Sequence, residues 1–229
     1  MDGHSFDTRE LIRTTPFFRE LDPDLATEAA AQVVIRQHPD NQVILLENDW
    51  GNSVYFVLQG WAKIRTYNID GKEITLNILG KGEVFGEMAP LEEIPRSTDV
   101  ITLTPTVVGS MPARHFVKLI HTEPMAGLYL ARLMAKRLRQ VNRRLRLRES
   151  DSQSRVADIL LFLAEGQGQI ANEVMEIPNL PHRELGGLSG LARETVTRVL
   201  NKLEKTGLIQ RDRAILKIID IEALENLLG

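Results

Sequence analysis

The chain has 229 residues, 43% of them hydrophobic, which is enough for two ordinary domains with separate cores. Its formal net charge is -3, so bulk charge does not attract nucleic acid, and any DNA binding must come from a local basic face. The absence of cysteine excludes disulfides, thiolate metal sites, iron–sulfur clusters and a cysteine nucleophile. No apolar run approaches the roughly 18 residues of a membrane span, and residues 1–10 lack the pattern of a signal peptide. We therefore expect a cytoplasmic protein without a membrane partner.

Helix signals dominate the start of the chain, and strand signals follow. Residues 1–34 are predicted to be helical, because Asp22 and Pro23 supply a cap and a first turn for the Ala- and Glu-rich residues 24–31. Between residues 42 and 111, short alternating segments predict β-strands. The turn signals between them are Gly51-Asn52, Gly60, Asp70-Gly71 and Gly80-Lys81-Gly82. Many short strands at regular spacing are typical of a small antiparallel barrel or roll.

Within this β-rich region, residues 85–91 and 95–98 form a cassette suited to a small anion. A cyclic phosphodiester needs a planar charged donor, a hydroxyl donor and free backbone N–H groups within one turn. Arg96, Ser97 and the Gly86-Glu87 backbone supply these three kinds of donor. Because a carboxylate repels phosphate, the presence of Glu87 favours a ligand that also carries a ribose 2′-hydroxyl.

Beyond Pro112 the pattern is helical again, and residues 124–148 form one long predicted helix. Small or apolar residues recur along it in steps of four and three, at Gly127, Ala131, Met134, Leu138, Val141 and Leu145. This spacing is typical of a coiled-coil seam and predicts a symmetric homodimer, with its interface at Met134, Leu138, Val141 and Leu145. The alternative is a helix that packs only on its own barrel, as the neighbouring Leu130 and Leu133 are expected to do.

The long helix is also unusually basic. Its cations are Lys136, Arg137, Arg139, Arg143, Arg144, Arg146 and Arg148. We favour a solvated flank whose charges pair with acids on the barrel; the alternative is a docking surface for a second anion or an acidic partner protein. The polar residues 149–152 then predict a hinge, with Asp151 or Ser152 capping a helix over residues 155–165.

Residues 181–207 carry the pattern of a helix-turn-helix. A first helix over residues 183–188 is followed by a break at Ser189-Gly190 and a second helix over residues 192–205. One face of the second helix is predicted to be buried, with Leu191, Val196, Val199, Leu200 and Leu203. The opposite face carries Arg193, Glu194, Thr197, Arg198, Asn201 and Lys202. Such a face suits the major groove of DNA, because Arg forks onto guanine O6 and N7 while Glu accepts from the cytosine amine.

Two further strand signals follow the second helix. Residues 208–210 and 214–219 alternate around Asp212-Arg213, which predicts the hairpin wing of a winged helix-turn-helix. Arg211, Arg213 and Lys217 are then expected to meet phosphates. Taken without the wing, residues 181–207 also fit a small helical hairpin with a solvated charged face.

The order of these segments resembles the cyclic-AMP receptor protein and FNR family of bacterial regulators. The resemblance rests on the helical start, the Gly-punctuated roll, the Gly-Glu-Met…Arg-Ser cassette, the long helix and the Arg-Glu-Thr-Val-Thr-Arg run over residues 193–198. It covers roughly residues 15–219. It implies an α+β fold with a cyclic-nucleotide-binding β-roll over residues 1–123, a dimerisation helix over 124–149 and a winged helix-turn-helix over 150–229.

For the roll, the resemblance implies a cyclic nucleotide such as cyclic AMP as effector, with no further cofactor and no metal. It assigns Gly86, Glu87, Met88, Arg96 and Ser97 to the ligand, with Glu87 on the ribose hydroxyl and Arg96 and Ser97 on the phosphate. It assigns Val141 and Asn142 of the long helix to the base. Two features differ from the family pattern. Residues 139–142 lack the Thr-Ser pair that commonly meets adenine, and the cassette is slightly shorter between Glu87 and Arg96.

For the C-terminal region, the resemblance implies a two-fold symmetric DNA site with TGTGA-like half-sites, and contact with RNA polymerase. Arg193, Glu194 and Arg198 match the positions that read bases. The full set of predicted DNA contacts is Arg183, Arg193, Glu194, Thr197, Arg198, Lys202 and Lys217.

Other functions compete with this one. If the pocket is vestigial, a partner protein controls DNA binding instead of a nucleotide. An enzyme is disfavoured, because no nucleophile, base and orienting group, and no metal-ligand spacing, occur together. Haem sensing is disfavoured because the five histidines, among them His4 and His182, are scattered along the chain.

Overall fold

The computed structural model describes residues 7–171 and 174–228. The chain divides into two compact units, with the boundary between Met134 and Ala135 inside the long helix, and each unit is described by itself. His4 and the first residues of the predicted helical start lie outside the described residues. Within the described residues, no helix is long and apolar enough to cross a membrane.

The first unit begins with three short helices. They are α1 Thr8–Thr14, α2 Pro16–Arg19 and α3 Pro23–Ala31. Asp22 caps α3 by accepting a bond from the Asp24 backbone N–H, and Pro23 fits the first turn because its missing N–H is not needed there. The predicted helical start is confirmed as far as Ala31. Its extension to residue 34 is wrong, because Val34 begins a strand that pairs with residues about 70 positions later.

Eight strands form the β-roll that the turn spacing predicts. They are β1 Val34–His38, β2 Val43–Leu45, β3 Ser53–Gln59, β4 Ala62–Tyr67, β5 Glu73–Leu79, β6 Val84–Phe85, β7 Asp99–Thr102 and β8 Thr106–Pro112. Two four-stranded antiparallel sheets result, in the orders β1-β8-β3-β6 and β2-β7-β4-β5. The prediction of an antiparallel roll is confirmed, but it misses β1.

Strand β3 contributes to two cores, because successive side chains of a strand point to opposite faces. Tyr55 and Val57 face an inner core between the sheets, formed by Leu45, Val57, Ala62, Leu79, Phe85, Val100 and Val108. Phe56 faces an outer core, which the helices cover. Phe17 lies at its centre, with ring centroids 5.3 Å from those of Phe18 and Phe116 and 5.8 Å from that of Phe56.

Three helices complete this part of the chain. They are α4 Met88–Glu92, α5 Ala113–Thr122 and α6 Pro124–Arg146, and a 3₁₀ turn over Leu147–Glu149 follows α6. The first turns of α6 pack on the outer core, as predicted for Leu130 and Leu133. Met134, predicted in the dimer seam, is half-buried and also packs against this outer core, and its place in the seam stays a prediction.

The second unit contains a helix-turn-helix and a small sheet. Its elements are α7 Ser152–Gln167, β9 Gln169–Ala171, β10 Val174–Pro178, α8 His182–Ser189, α9 Arg193–Lys205, β11 Ile209–Arg211, β12 Ile215–Ile218 and α10 Ile221–Glu225. The sheet is antiparallel, in the order β11-β12-β10-β9. The predicted helix-turn-helix and wing are confirmed. Strands β9 and β10 were not predicted, because both are short. Strand β10 pairs with the wing strand β12, and β9 pairs with β10.

Caps and close approaches explain where these helices end. Asp151 caps α7 by accepting bonds from the backbone N–H groups of Gln153 and Ser154, so α7 starts at Ser152, three residues before its predicted start. Gly190 ends α8 with φ 65°, a left-handed conformation that glycine adopts without steric cost. Leu191, predicted on the buried face of α9, lies before that helix and is half-buried.

The end of α6 is attached to α7 by charge and stacking. Arg143 Nε lies 2.5 Å from Asp158 Oδ1, and Arg143 Nη1 lies 2.9 Å from Glu165 Oε1. The Arg144 guanidinium stacks 4.3 Å from the centroid of the Phe162 ring, and burial lowers its pKa to about 10. The expectation that these cations pair with acids on the barrel is therefore wrong for Arg143, whose partners are on α7.

Candidate effector pocket and nucleic-acid interface

The predicted cassette begins where β6 ends, at a turn centred on Gly86. Gly86 has φ 74°, and a Cβ there would crowd Tyr55 and Arg96, so glycine is required on both counts. The chain then forms α4 and leaves it through Glu93, which is also left-handed at φ 55°. Helix α4 was not predicted, because five residues are too few to show a helical period.

Arg96 is the buried cation of the cassette, with only 4% of its surface exposed. Its Nη2 donates to the Ser53 carbonyl at 2.7 Å, and its Nη1 donates to the Gly86 carbonyl. Its backbone bonds to Asp49 and Asn48 across the β2–β3 loop. Burial lowers the pKa of Arg96, and the charges of Tyr55 and Glu87 oppose that shift. An arginine remains a cation under these conditions.

The structure separates the predicted ligand residues of the cassette into two groups. Glu87 is buried, with 2% exposed, and is close enough to Arg96 to favour its charged form. Ser97 and Met88 are exposed to solvent. The fold therefore brings Gly86, Glu87 and Arg96 together, while Ser97 and Met88 lie at the surface.

A cavity of about 350 Å³ opens in the roll, and Gly86, Glu87 and Arg96 are not among the residues that line it. Its lining includes Ser53 and Tyr55, which also contact Arg96, together with Arg36 and His38 of β1. The volume is within the range of small-molecule sites. Sequence reasoning missed these four residues, although the alternation of β3 was a signal that Ser53 and Tyr55 share one face.

The donor set at this place fits an anionic ligand. The Arg96 Nε is buried and has no hydrogen-bond partner, which leaves one guanidinium donor unsatisfied. Beside it lie the Gly86 turn and the carboxylate of Glu87. A phosphodiester would supply acceptors for the cation, and a ribose hydroxyl would supply a donor for the carboxylate.

A network of charges supports the strand that leaves the cassette. Asp99, two residues after Ser97, accepts from Arg65 Nε at 3.1 Å and from the Glu47 backbone N–H at 2.8 Å. Arg65 also lies 2.8 Å from Glu73. Burial raises the pKa of Glu73, but the hydrogen bonds from Lys63 and Arg65 lower it overall. The network attaches β7 to β4, β5 and the β2–β3 loop.

The exposed face of α9 carries the strongest candidates for base contacts. Arg193, Glu194 and Arg198 are exposed, while Val196, Val199, Leu200 and Leu203 are buried on the opposite face. The Gly186 backbone approaches Leu191 so closely that a Cβ at Gly186 would overlap its carbonyl. This contact allows α8 and α9 to pack tightly and to present the exposed face of α9.

The other predicted DNA contacts are engaged within the unit to different degrees. Arg183 is exposed and lies 2.9 Å from the buried Glu184, and Lys202 Nζ donates to Gln153 at 2.5 Å. Lys217, partly buried on β12, lies 3.1 Å from Glu176 of β10. A DNA phosphate must compete with these partners.

A chain of hydrogen bonds links α8, α9 and the wing through His182. The Nδ1 of His182 is 2.7 Å from Thr197 Oγ1, whose hydroxyl donates to the Arg193 carbonyl at 2.9 Å. The Nε2 of His182 is 3.4 Å from Arg211 Nη1, which can only donate. The neutral tautomer with its proton on Nδ1 satisfies every member of this chain. Burial, followed by the charges of Arg211 and Arg193, lowers the pKa of His182.

Arg211 belongs to this internal chain rather than to a free basic surface. Its guanidinium bonds to Glu204 at 2.6 Å and to Asn201 at 2.8 Å, and 14% of its side chain is exposed. Because these donors already hold the wing to α9, a phosphate must compete for them, and the expected contact of Arg211 with phosphate stays a prediction. Sequence reasoning missed both partners of Arg211, namely His182, which lies 29 positions before it, and Glu204, which lies seven positions before it.

Comparison with known proteins agrees with this geometry. The family model for the cyclic nucleotide-binding domain matches residues 35–123, and that for the Crp-like helix-turn-helix domain matches residues 154–227. The cyclic AMP receptor protein of Thermus thermophilus is 30% identical over 94% of this chain and 98% of its own. A CRP-like cAMP-activated global transcriptional regulator of Mycobacterium tuberculosis is 28% identical over 94% of this chain and 97% of its own.

A solved structure shows the same fold. FixK2 from Bradyrhizobium japonicum has a TM-score of 0.75 at 21% identity and covers 86% of this chain and 98% of its own. Fold and sequence together define a DNA-binding transcription regulator with a cyclic nucleotide-binding domain, and not an enzyme. The chain belongs to the cyclic AMP receptor protein and FNR family. Over residues 7–171 and 174–228, no cluster of three or more His, Asp or Glu side chains could hold a metal ion.

The lowered pKa of His182 predicts an acid-sensitive second unit. The unfolded chain takes up this proton more readily than the folded chain, so the contribution to stability is full above the ordinary histidine pKa of about 6.5. It is lost as the pH falls from there through the lowered folded value. We expect the α8 and α9 amides of the wild type to lose more protection from hydrogen exchange on acidification than those of His182→Gln.

Exchange rates corrected for the intrinsic effect of pH measure this difference. His121→Gln, at an exposed histidine on α5, is the matched control and should behave as the wild type does. Equal acid sensitivity of the wild type and His182→Gln would contradict the assignment.

Proposed function

We propose that the chain is a homodimeric transcription regulator whose DNA binding is gated by a cyclic nucleotide, such as cyclic AMP, held in the roll. The observation that carries this proposal is the buried Arg96, with an unsatisfied Nε, beside the buried carboxylate of Glu87. A cation and a carboxylate at one turn match the phosphate and the ribose hydroxyl of such a ligand. The name of the Thermus thermophilus relative supports the choice of cyclic AMP.

In this proposal each cassette residue has one task. Arg96 binds the phosphate, with the Gly86-Glu87 backbone as a second source of N–H donors and the exposed Ser97 hydroxyl as a third. Glu87 accepts from the ribose 2′-hydroxyl. The contacts of Met88, Val141 and Asn142 with the nucleotide stay predictions, and Val141 and Asn142 belong to the other unit.

For DNA, the exposed face of α9 is proposed to read base edges in the major groove. Arg193 and Arg198 are suited to guanine, and Glu194 to the amine of cytosine or adenine. A dimer would place two such helices on a palindrome with TGTGA-like half-sites about one helical turn apart, roughly 34–36 Å. Contact with RNA polymerase and a cytoplasmic location stay predictions.

Dimerisation is proposed along the second half of α6. Leu138, Val141 and Leu145 are 61%, 48% and 60% exposed, and their spacing of three and four places them on one stripe. Exposed leucines in such a row are typical of a helix that packs against a second copy. Met134 contributes less, since it packs against the outer core of its own chain.

One observation favours a second candidate, in which the pocket is vestigial and another ligand or a partner protein controls DNA binding. Two nitrogens of Arg96 already donate to carbonyls of the roll itself, at Ser53 and Gly86. A cation satisfied in this way can serve the fold without any ligand. Binding measurements separate the two candidates.

The first test of the proposal is titration calorimetry against a panel of cyclic mono- and dinucleotides. We expect Arg96→Leu to weaken nucleotide binding by several kcal/mol, since charge-assisted bonds are worth roughly 1.5–3 kcal/mol each. Glu87→Gln should reduce the preference for ribo over 2′-deoxy ligands. Arg114→Leu, which removes an exposed arginine from α5, is the control. If the wild type binds neither cyclic AMP nor cyclic GMP at millimolar concentration, the vestigial pocket is the better account.

The second test concerns assembly. Placing Asp at both Leu138 and Val141 puts charges into the stripe, so the protein should sediment as a monomer and lose DNA affinity. Arg139→Asp combined with Arg146→Asp alters the same helix away from the stripe and should leave the dimer intact. A wild type that sediments as a monomer at micromolar concentration would contradict the proposed interface.

The third test concerns base reading. Arg193→Ala should cost roughly 1–3 kcal/mol and relax the preference at one guanine, whereas Lys217→Ala should weaken all sequences alike and lower the salt slope by about one unit. Selection of DNA ligands from random pools, followed by binding measurements, compares the two. An unchanged base preference in Glu194→Ala, or the recovery of no symmetric motif, would argue against α9 as the reader.

A further inference from the structure

We propose that Gly51 is a positioning residue. The space left by its missing side chain holds the Arg96 guanidinium in an inward position, called the seat, and the guanidinium must leave this seat when a nucleotide binds. This inference rests on the proposed function, because it concerns how the effector reaches Arg96. In the seat, the guanidinium is held by carbonyls of the roll; in the bound state, it is held by the phosphate. Gly51 lies in the β2–β3 loop, outside the predicted cassette.

The seat is defined by contacts on several sides of the guanidinium. Nη1 donates to the Gly86 carbonyl and Nη2 donates to the Ser53 carbonyl. The Tyr55 ring lies 5.9 Å away. A Cβ built on Gly51 would overlap Nη2, Nε and Cζ of Arg96, so the guanidinium occupies the space that any other residue at position 51 would fill.

This seat competes with a phosphate for the same donors. A phosphate binds arginine best through two parallel N–H groups, and Nε with Nη2 forms one such edge. Gly51 lies against that edge, Nη2 is occupied by Ser53, and Nε is buried without an acceptor. With 4% of Arg96 exposed, a ligand cannot use this edge until the side chain moves.

The requirement for glycine at this position comes from Arg96 and not from the backbone. Gly86 and five other glycines have positive φ, and Gly51 is not among them. Alanine therefore suits the backbone of residue 51, and only its methyl group collides with the seated guanidinium. Gly51→Ala removes the seat and leaves Ser53, Gly86 and Arg96 in place as chemical groups.

Molecules in the seated state cannot bind the ligand, so the apparent affinity is the intrinsic affinity multiplied by the fraction of molecules outside the seat. Removing the seat therefore raises the apparent affinity by the inverse of that fraction. If the seated state is about ten times more populated than the free one, its removal should tighten nucleotide binding by roughly tenfold. The effect should be confined to ligands with a phosphate. Adenosine, which lacks the phosphate, should bind the wild type and Gly51→Ala alike, whereas a general change in the pocket would affect both ligands.

The test compares the wild type, Gly51→Ala and a control by titration calorimetry with cyclic AMP and with adenosine. The control is Gly166→Ala, since that glycine lies in α7 with open space around it and reports the general effect of adding a methyl group. Tighter binding of cyclic AMP to Gly51→Ala, at unchanged adenosine affinity, supports the proposal. Weaker or equal binding of cyclic AMP overturns it, because the seat is then the position that binds the ligand.

A measurement without ligand separates this proposal from the proposed function. In the seat, the Arg96 Nε–H is shielded, so its exchange with water should be slow in the wild type by nitrogen-detected NMR and fast in Gly51→Ala. Fast exchange in the wild type shows that the seat is absent and overturns the inference whatever the ligand result. Exchange in the wild type can also be slow while neither the wild type nor Gly51→Ala binds a nucleotide. That result overturns both the proposed effector and the competition between seat and phosphate for Arg96.

Discussion

The first unit depends on the burial of one cation. Arg96 joins the Gly86 turn, the start of β3 and the β2–β3 loop, through bonds to the carbonyls of Gly86 and Ser53 and through its own backbone to Asp49 and Asn48. A guanidinium is costly to bury unless its N–H groups find acceptors, and the carbonyls of Gly86 and Ser53 offset part of that cost. The buried Glu87 lies close to that cation, and the cavity is lined in part by Ser53 and Tyr55, which contact it.

In the second unit, arginines serve two distinct purposes. Some connect elements within the unit. Arg155 donates to the Ser189 carbonyl at the turn of the helix-turn-helix, and Arg211 forms an ion pair with Glu204 that links the wing to α9. Arg143 forms an ion pair with Asp158 that links the end of α6 to α7. Others, such as Arg193 and Arg198, remain exposed on one face of α9. The arginines of the first kind have donors engaged within the unit, whereas Arg193 and Arg198 stay available on the face proposed to read DNA.

The sequence by itself determined the elements whose signals are local. The helical period and the glycine at position 190 predicted α8, α9 and the turn between them, and alternation around Asp212 predicted the wing. The turn glycines predicted the roll, and the cassette residues Gly86, Glu87 and Arg96 were recognised by their chemistry. The predicted elements are confirmed because capping, turn formation and burial of one helix face act between residues a few positions apart, whereas the ligand roles of the cassette stay predictions.

Only the tertiary structure decided which polar groups meet. Arg96 and the Ser53 carbonyl are 43 positions apart, Arg155 and Ser189 are 34 apart, and no periodicity links such pairs. The same holds for β1, which pairs with β8 at the far end of the roll, and for the role of Gly51, whose missing side chain matters only because Arg96 folds over it. Contacts of this kind arise when packed sheets and helices bring distant residues together, so their partners depend on the whole fold rather than on neighbouring sequence.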